Sequence, residues 1–246
     1  MEYKIIEPST TSGTDQTKQP LYVFACTNNI NYNIVIDIIN PHNFELIYMK
    51  LFYSNTSPYS RKVRVLIYEK NLSSQVSSFL CNPFDKVPEL EVINPLHQIP
   101  TLLLNDNTPL YDSPVICEYL DSLGGDHFIP PFGPDRWAVL RWQALCDGIL
   151  DAAYNMVMEQ RRETQQQSPH WLRQWQEQIQ QAFRYIENTL DTLPTQMSIA
   201  QISLGCSLAY LDFRLPNLNW HHQHPALDQW FNDFSVRESM LKTQPK

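Results

Sequence analysis

At the run Ile129-Pro130-Pro131-Phe132-Gly133-Pro134 the hydrophobic pattern of this chain changes period. Before it, short apolar runs alternate with helical stretches; after it, only stripes of helical spacing remain. A segment with three prolines and a glycine in six residues can continue neither a helix nor a central strand, so it reads as a linker, 126–134, just after a Gly124-Gly125 helix stop. The chain therefore divides into an α/β half, 49–125, and an all-helical half, 135–246.

In the first half the predicted order is strand, helix, strand, short helix, strand, strand, helix. Met49-Lys50-Leu51-Phe52-Tyr53 reads as a short buried strand. Ser57-Pro58 has the form of an N-cap followed by a first-turn proline, and Tyr59, Val63, Leu66 and Ile67 share one face of the helix it opens. A second strand falls near Val76 to Leu80. Leu102-Leu103-Leu104 and Pro109-Leu110-Tyr111 flank the turn-rich Asn105-Asp106-Asn107, a hairpin pattern. Ser113-Pro114 repeats the cap and proline pair, and Ile116, Tyr119, Leu120 and Leu123 follow at helical spacing.

In the second half Trp142, Leu145, Ile149, Ala152 and Met156 form one stripe, and Leu172, Trp175, Ile179, Phe183, Ile186 and Leu190 form the next. Residues 199–213 are apolar almost all round, which predicts a helix at the centre of a bundle, opened by a capping box of Ser198 and Gln201. A last helix is expected near Leu227 to Phe234. Trp137, Trp142, Trp171 and Trp175 read as core and interdomain packing, and Arg61, Lys62 and Arg64 as a solvated helix face.

Residues 1–48 do not continue this pattern. Up to about residue 20 they are polar without an apolar period and read as disordered; beyond that, Leu21-Tyr22-Val23-Phe24 and Ile34-Val35-Ile36 are strand-like pieces in an Asn- and Ile-rich segment. They are expected to be an N-terminal extension, with Met49 as the start of the fold.

Composition narrows the function. The net charge of −8 argues against coating nucleic acid, whose binding draws on Lys and Arg. No apolar run is long enough to span a membrane, and Met1-Glu2-Tyr3-Lys4 does not open a secretory signal, so a cytoplasmic protein is expected. The five cysteines, Cys26, Cys81, Cys117, Cys146 and Cys206, include no C-x-x-C pair, against a disulfide framework, a zinc site or a dithiol motif. His221, His222 and His224 lie in a Pro- and Asn-flanked loop with no carboxylate or cysteine partner, and no metal is expected.

Four segments, taken in order, resemble the glutathione S-transferase family: Ser57-Pro58-Tyr59-Ser60-Arg61-Lys62-Val63-Arg64, Asn94-Pro95-Leu96-His97-Gln98-Ile99-Pro100-Thr101-Leu102, Tyr111-Asp112-Ser113-Pro114-Val115-Ile116-Cys117-Glu118-Tyr119-Leu120, and Ser198-Ile199-Ala200-Gln201. The resemblance runs from Met49 to about Arg237, and is to serine-type members of the bacterial cytosolic kind. It implies a thioredoxin-like domain followed by a helical bundle, glutathione as co-substrate, and a homodimer. It implies a cis Pro100 that turns the backbone of Ile99 toward the cysteinyl part of glutathione. Asp112 would face the γ-glutamyl ammonium, Ser113 and its helix N-terminus the carboxylate, and Gln98 the glycyl end. Ser57 sits where serine-type members place the hydroxyl that donates to the glutathione sulfur.

Other roles stand beside these. Ser57 and Ser113 would serve equally as plain caps, and Tyr53 occupies the strand end at which tyrosine-type members carry their hydroxyl, with core packing as its alternative. No cysteine lies at the turn where cysteine-type members carry theirs. Two functions follow from the resemblance. One is a transferase that directs the glutathione thiolate at a hydrophobic electrophile, with isomerase or peroxidase chemistry on the same site. The other is a non-catalytic protein of the starvation-induced type that associates with RNA polymerase. The full set Ser57, Gln98, Pro100, Asp112 and Ser113 favours the enzyme. The first turn and the helix beginning near Asp135 are expected to line the acceptor pocket with Trp, Met and Tyr.

Overall fold

The computed structural model describes residues 4–6, 23–25, 49–82 and 84–245. The chain divides into two units, Met1–Leu46 and Ile47–Lys246. In the first, strands β1 (Lys4–Ile6) and β2 (Val23–Ala25) pair antiparallel, with Lys4 opposite Ala25. The strand at Lys4–Ile6 falls in the stretch read as polar and disordered, and Val23–Ala25 overlaps a piece read as strand-like. The rest of the expected extension, Ile34-Val35-Ile36 included, lies outside the described residues.

The second unit opens with β3 (Met49–Tyr53), α1 (Pro58–Glu69), β4 (Val76–Leu80), α2 (Pro88–Ile93), β5 (Thr101–Leu103), β6 (Pro109–Leu110) and α3 (Ser113–Ser122). The element order is the one read from the sequence. The sheet runs β4-β3-β5-β6, with β3 parallel to β4 and antiparallel to β5, as in a thioredoxin-like domain. Met49, Leu51 and Phe52 are fully buried, so the strand does not alternate strictly, and its one charged residue, Lys50, pairs with Glu89 of α2 at 2.8 Å. The hairpin turn closes where Asn107 adopts a left-handed conformation and the Asp106 carboxylate accepts from Thr108 N at 2.8 Å.

The helical half comprises α4 (Pro134–Gln160), α5 (Pro169–Thr189), α6 (Ile199–Arg214), α7 (Pro225–Ser235) and α8 (Glu238–Lys242). Helix α6 is buried on nearly every side, between α4, α7 and α1. Its capping box forms as the sequence implies: Ser198 Oγ accepts from Ala200 N at 3.2 Å, and Gln201 Oε1 accepts from Ser198 N at 2.9 Å. Gly205 is required there, because a Cβ would stand 2.4 Å from the Phe234 ring of α7.

The two halves share a polar seam. Lys62 of α1 has no exposed side-chain surface and donates to both carboxylate oxygens of Asp147 in α4, at 2.7 and 2.8 Å. Arg61, also buried, donates to Met240 O at 3.0 Å. Both correct the reading of Arg61, Lys62 and Arg64 as a solvated face: α1 lies between α3 on one side and α6 and α8 on another, so polar positions on its flank meet protein. Arg64 is half-buried, with its guanidinium 4.6 Å above the Tyr53 ring. The linker is tied down by Asp121, which accepts from Lys70 Nζ at 3.1 Å and from Phe128 N and Ile129 N at 2.7 and 3.2 Å.

Of the tryptophans, Trp142 is core, but Trp137 and Trp171 are 67% and 54% exposed and Trp171 stacks on Trp175, so the packing role assigned to all four holds only in part. His221 does meet carboxylates: it bridges Asp212 and Asp228 at 3.0 and 2.7 Å, which lie in α6 and α7 and are brought to the loop by the fold. Among the described residues no helix is long and apolar enough to cross a membrane.

Candidate functional site

One cavity of about 720 Å³ opens where the β3–α1 turn, the 94–100 turn and the start of α3 meet α4 and α6. All six residues singled out in the sequence, Ser57, Gln98, Ile99, Pro100, Asp112 and Ser113, line it.

Ser57 arrives there because β3 ends in the sheet core and the chain must reverse before α1. It takes extended angles, φ −80° and ψ 121°, and its Oγ accepts from Ser60 N at 3.2 Å as the N-cap. That bond uses a lone pair and leaves the hydroxyl proton to donate elsewhere.

The 94–100 turn is stapled from beneath by Asn94, which is buried. Its amide donates to Gln98 O at 3.0 Å and to Thr101 Oγ1 at 2.8 Å, while its Oδ1 accepts from Leu96 N. Thr101 Oγ1 in turn donates to Gln98 O at 2.8 Å. With its side-chain partners taken from within, the turn presents the Ile99–Pro100 backbone to the cavity, and the Ile99–Pro100 bond is cis. This stapling role of Asn94 was not legible beforehand, since an Asn before a Pro reads simply as a turn.

The start of α3 differs by one residue from expectation. Ile116 N donates to Asp112 O at 3.0 Å, and Asp112 has extended angles, so Asp112 is the cap and Ser113 the first helical residue. The Asp112 carboxylate makes no capping bond, and Ser113 is 2% exposed. The Tyr111–Asp112 peptide is cis. Helices α1 and α3 thus both present their N-terminal, partially positive ends at one cavity.

The far wall comes from Asp151, Tyr154, Val157, Met158 and Arg161 of α4 and its cap, with Tyr210 and Arg214 of α6. Tyr59, read as a member of the core face of α1, also lines the cavity and donates its hydroxyl to Asp151 Oδ1. Burial, together with this carboxylate, raises the Tyr59 pKa, so the phenol stays protonated. Helix α4 supplies the expected Tyr and Met, whereas its tryptophans are not part of the lining. The contribution of α6 was missed because its apolar pattern signals only burial.

Tyr53 is not among the lining residues; it packs against the core beneath Arg64. Cys81, at the end of β4, does reach the cavity, but burial pushes its thiol pKa up, away from nucleophile character.

Comparison with known proteins identifies this arrangement. Residues 56–123 match the model of the glutathione S-transferase N-terminal domain and residues 169–233 that of its C-terminal domain. An uncharacterised glutathione S-transferase-like protein of Escherichia coli (strain K12), YibF, is 32% identical over 201 residues, covering 80% of this chain and 98% of that one. A glutathione transferase family member from Pseudomonas fluorescens Pf-5, crystallised with bound glutathione, is 38% identical with a TM-score of 0.78 over 80% of this chain and 99% of its own. A structure from the same organism holding S-(propanoic acid)-glutathione superposes with a TM-score of 0.74 at 38% identity, over 80% of this chain and 100% of its own. With both domain models matched in order and close relatives aligned almost end to end, the chain belongs to the glutathione S-transferase family.

Proposed function

We propose that this protein is a glutathione-dependent transferase in which Ser57 stabilises the glutathione thiolate for attack on a small electrophile with an apolar body. The observation that carries the reading is the convergence of Ser57, the Gln98–Pro100 backbone and the Asp112–Ser113 helix start on one cavity. Glutathione presents a thiol, two carboxylates and an ammonium. In this reading Asp112 pairs with the ammonium, Ser113 and the α3 N-terminus receive the γ-glutamyl carboxylate, the Ile99 backbone bonds the cysteinyl main chain, and Gln98 meets the glycyl end. The relatives crystallised with glutathione and with a propanoic acid adduct of it support both the ligand and a thioether product. Assembly as a homodimer belongs to the same reading.

A free thiol of pKa about 8.5 is only a few per cent ionised at pH 7, whereas a value near ~6.5 makes roughly three-quarters of it thiolate. Donation from Ser57 and the positive end of α1 both favour that form. The test is the ultraviolet absorbance of bound thiolate against pH in wild type and Ser57→Ala. The alanine variant is expected to titrate at higher pH, to turn over at least about tenfold more slowly at pH 7, and to lose only about 1 kcal/mol of stability as a cap. Titration at the same pH in both proteins would make Ser57 a cap alone.

A further inference from the structure

The acceptor end of the cavity is not uniformly apolar. Arg161, the C-cap of α4, and Arg214, the last residue of α6, both line it. Among the described residues neither forms an ion pair, whereas Arg136, Arg162 and Arg237 each meet a glutamate. Arg161 reaches only the Met158 sulfur, at 3.8 Å, and Arg214 lies over the Phe213 ring at 4.2 Å.

Two carboxylates also line the cavity, and both sit elsewhere. Asp112 caps α3, and Asp151 is engaged by the Tyr59 hydroxyl and stands about 15 Å along the helix from Arg161. The Tyr210 hydroxyl, which hydrogen-bonds with Arg214, is held neutral: burial raises its pKa, and Arg214 and Arg161 only partly oppose this. The wall therefore has an acidic end near α1 and α3, a middle of Tyr154, Val157 and Met158, and a cationic end without a carboxylate partner. The partial negative charge at the C-termini of α4 and α6 favours arginines there. It leaves most of their N–H groups, five on each guanidinium, free of an anionic acceptor.

We propose that the acceptor carries a carboxylate, received by Arg161 and Arg214, with its apolar body against Tyr154, Val157 and Met158. This rests on the transferase reading and names its substrate class. For a chlorinated short-chain acid such as 3-chloropropanoate, the thiolate sulfur forms a bond to the carbon bearing chlorine as the carbon–chlorine bond breaks. Chloride leaves with the bonding pair, the carboxylate is unchanged, and the thiol proton has already passed to solvent.

Calorimetry with S-(2-carboxyethyl)glutathione and S-propylglutathione isolates the carboxylate. Wild type is expected to prefer the carboxyethyl conjugate about tenfold, equivalent to about 1.4 kcal/mol. The preference should shrink as salt screens it and fall below twofold in Arg161→Met/Arg214→Met, with the double lysine variant intermediate. Equal affinity of wild type for the two conjugates, or a preference unchanged in a folded double methionine variant, overturns the proposal. The wild-type comparison and its salt dependence need no variant to fold. Glutathione itself is titrated alongside: if it binds while the conjugates are not distinguished, only the carboxylate proposal falls. If it does not bind, the transferase reading falls and takes the proposal with it.

Discussion

A serine hydroxyl has one proton to give and two lone pairs to offer, and at Ser57 the Ser60 N–H takes one lone pair at 3.2 Å. Capping and thiolate stabilisation are therefore compatible in one side chain. Asp112 and Ser113 work differently, because in the proposed pose they hold a part of glutathione remote from sulfur. Their interactions are equally strong in ground and transition states, so Asp112→Ala with Ser113→Ala should raise KM for glutathione at least about tenfold and lower kcat less than threefold. Steady-state kinetics with calorimetry of glutathione binding measures this; unchanged affinity would remove both residues from the site. The resemblance to the family marked these positions because its motifs are short and local. It did not mark Tyr59, Arg161 or Arg214 as cavity residues, because the elements that complete the cavity around them lie far apart in the chain.

Between elements, α1 depends on two ion pairs with the helical half. Lys62 and Asp147 meet with the lysine fully buried and the Asp147 pKa raised by burial, against the pull of Lys62. Removing one partner leaves a charge without compensation, so Lys62→Met is expected to cost about 3–5 kcal/mol, and Lys62→Met/Asp147→Leu to recover most of it. Denaturant midpoints of the three proteins decide this; a double variant no better than the single one would place the cost in packing. At the other end of α1, Glu69 accepts from Arg237 Nη2 at 2.8 Å and Ser239 Oγ at 2.5 Å. Burial raises its pKa, but these bonds outweigh that and leave it below the ordinary value of 4.5. A depressed carboxylate contributes stability above its unfolded pKa and loses it as pH falls through the folded one. The stability gap between wild type and Glu69→Gln should therefore be full at pH 7 and close below about pH 4.5. Melting temperatures across that range test the sign.

For the whole molecule, the four strands β4-β3-β5-β6 all lie from Met49 onward, and β3 pairs with β4 and β5, both downstream. Protein beginning at Met49 is expected to fold, to melt within a few degrees of the full chain, and to retain glutathione-dependent activity. Limited proteolysis of the full chain should cut first before Met49. Insoluble or inactive protein from Met49 would make the preceding residues part of the fold.

The sequence by itself determined the order of elements from Met49 onward and the central helix 199–213, which follow from hydrophobic period, caps and turn residues acting over a few neighbours. The six positions that share the cavity were marked by the resemblance of short motifs to the glutathione S-transferases. Only the tertiary structure decided that Lys62 is buried, that His221 meets two aspartates, that Trp137 is exposed and that Arg161 and Arg214 line one cavity. Each depends on how separate elements pack, as where Lys62 of α1 meets Asp147 of α4. Burial and charge compensation depend on what packs opposite a residue, and no local period in the chain encodes that partner.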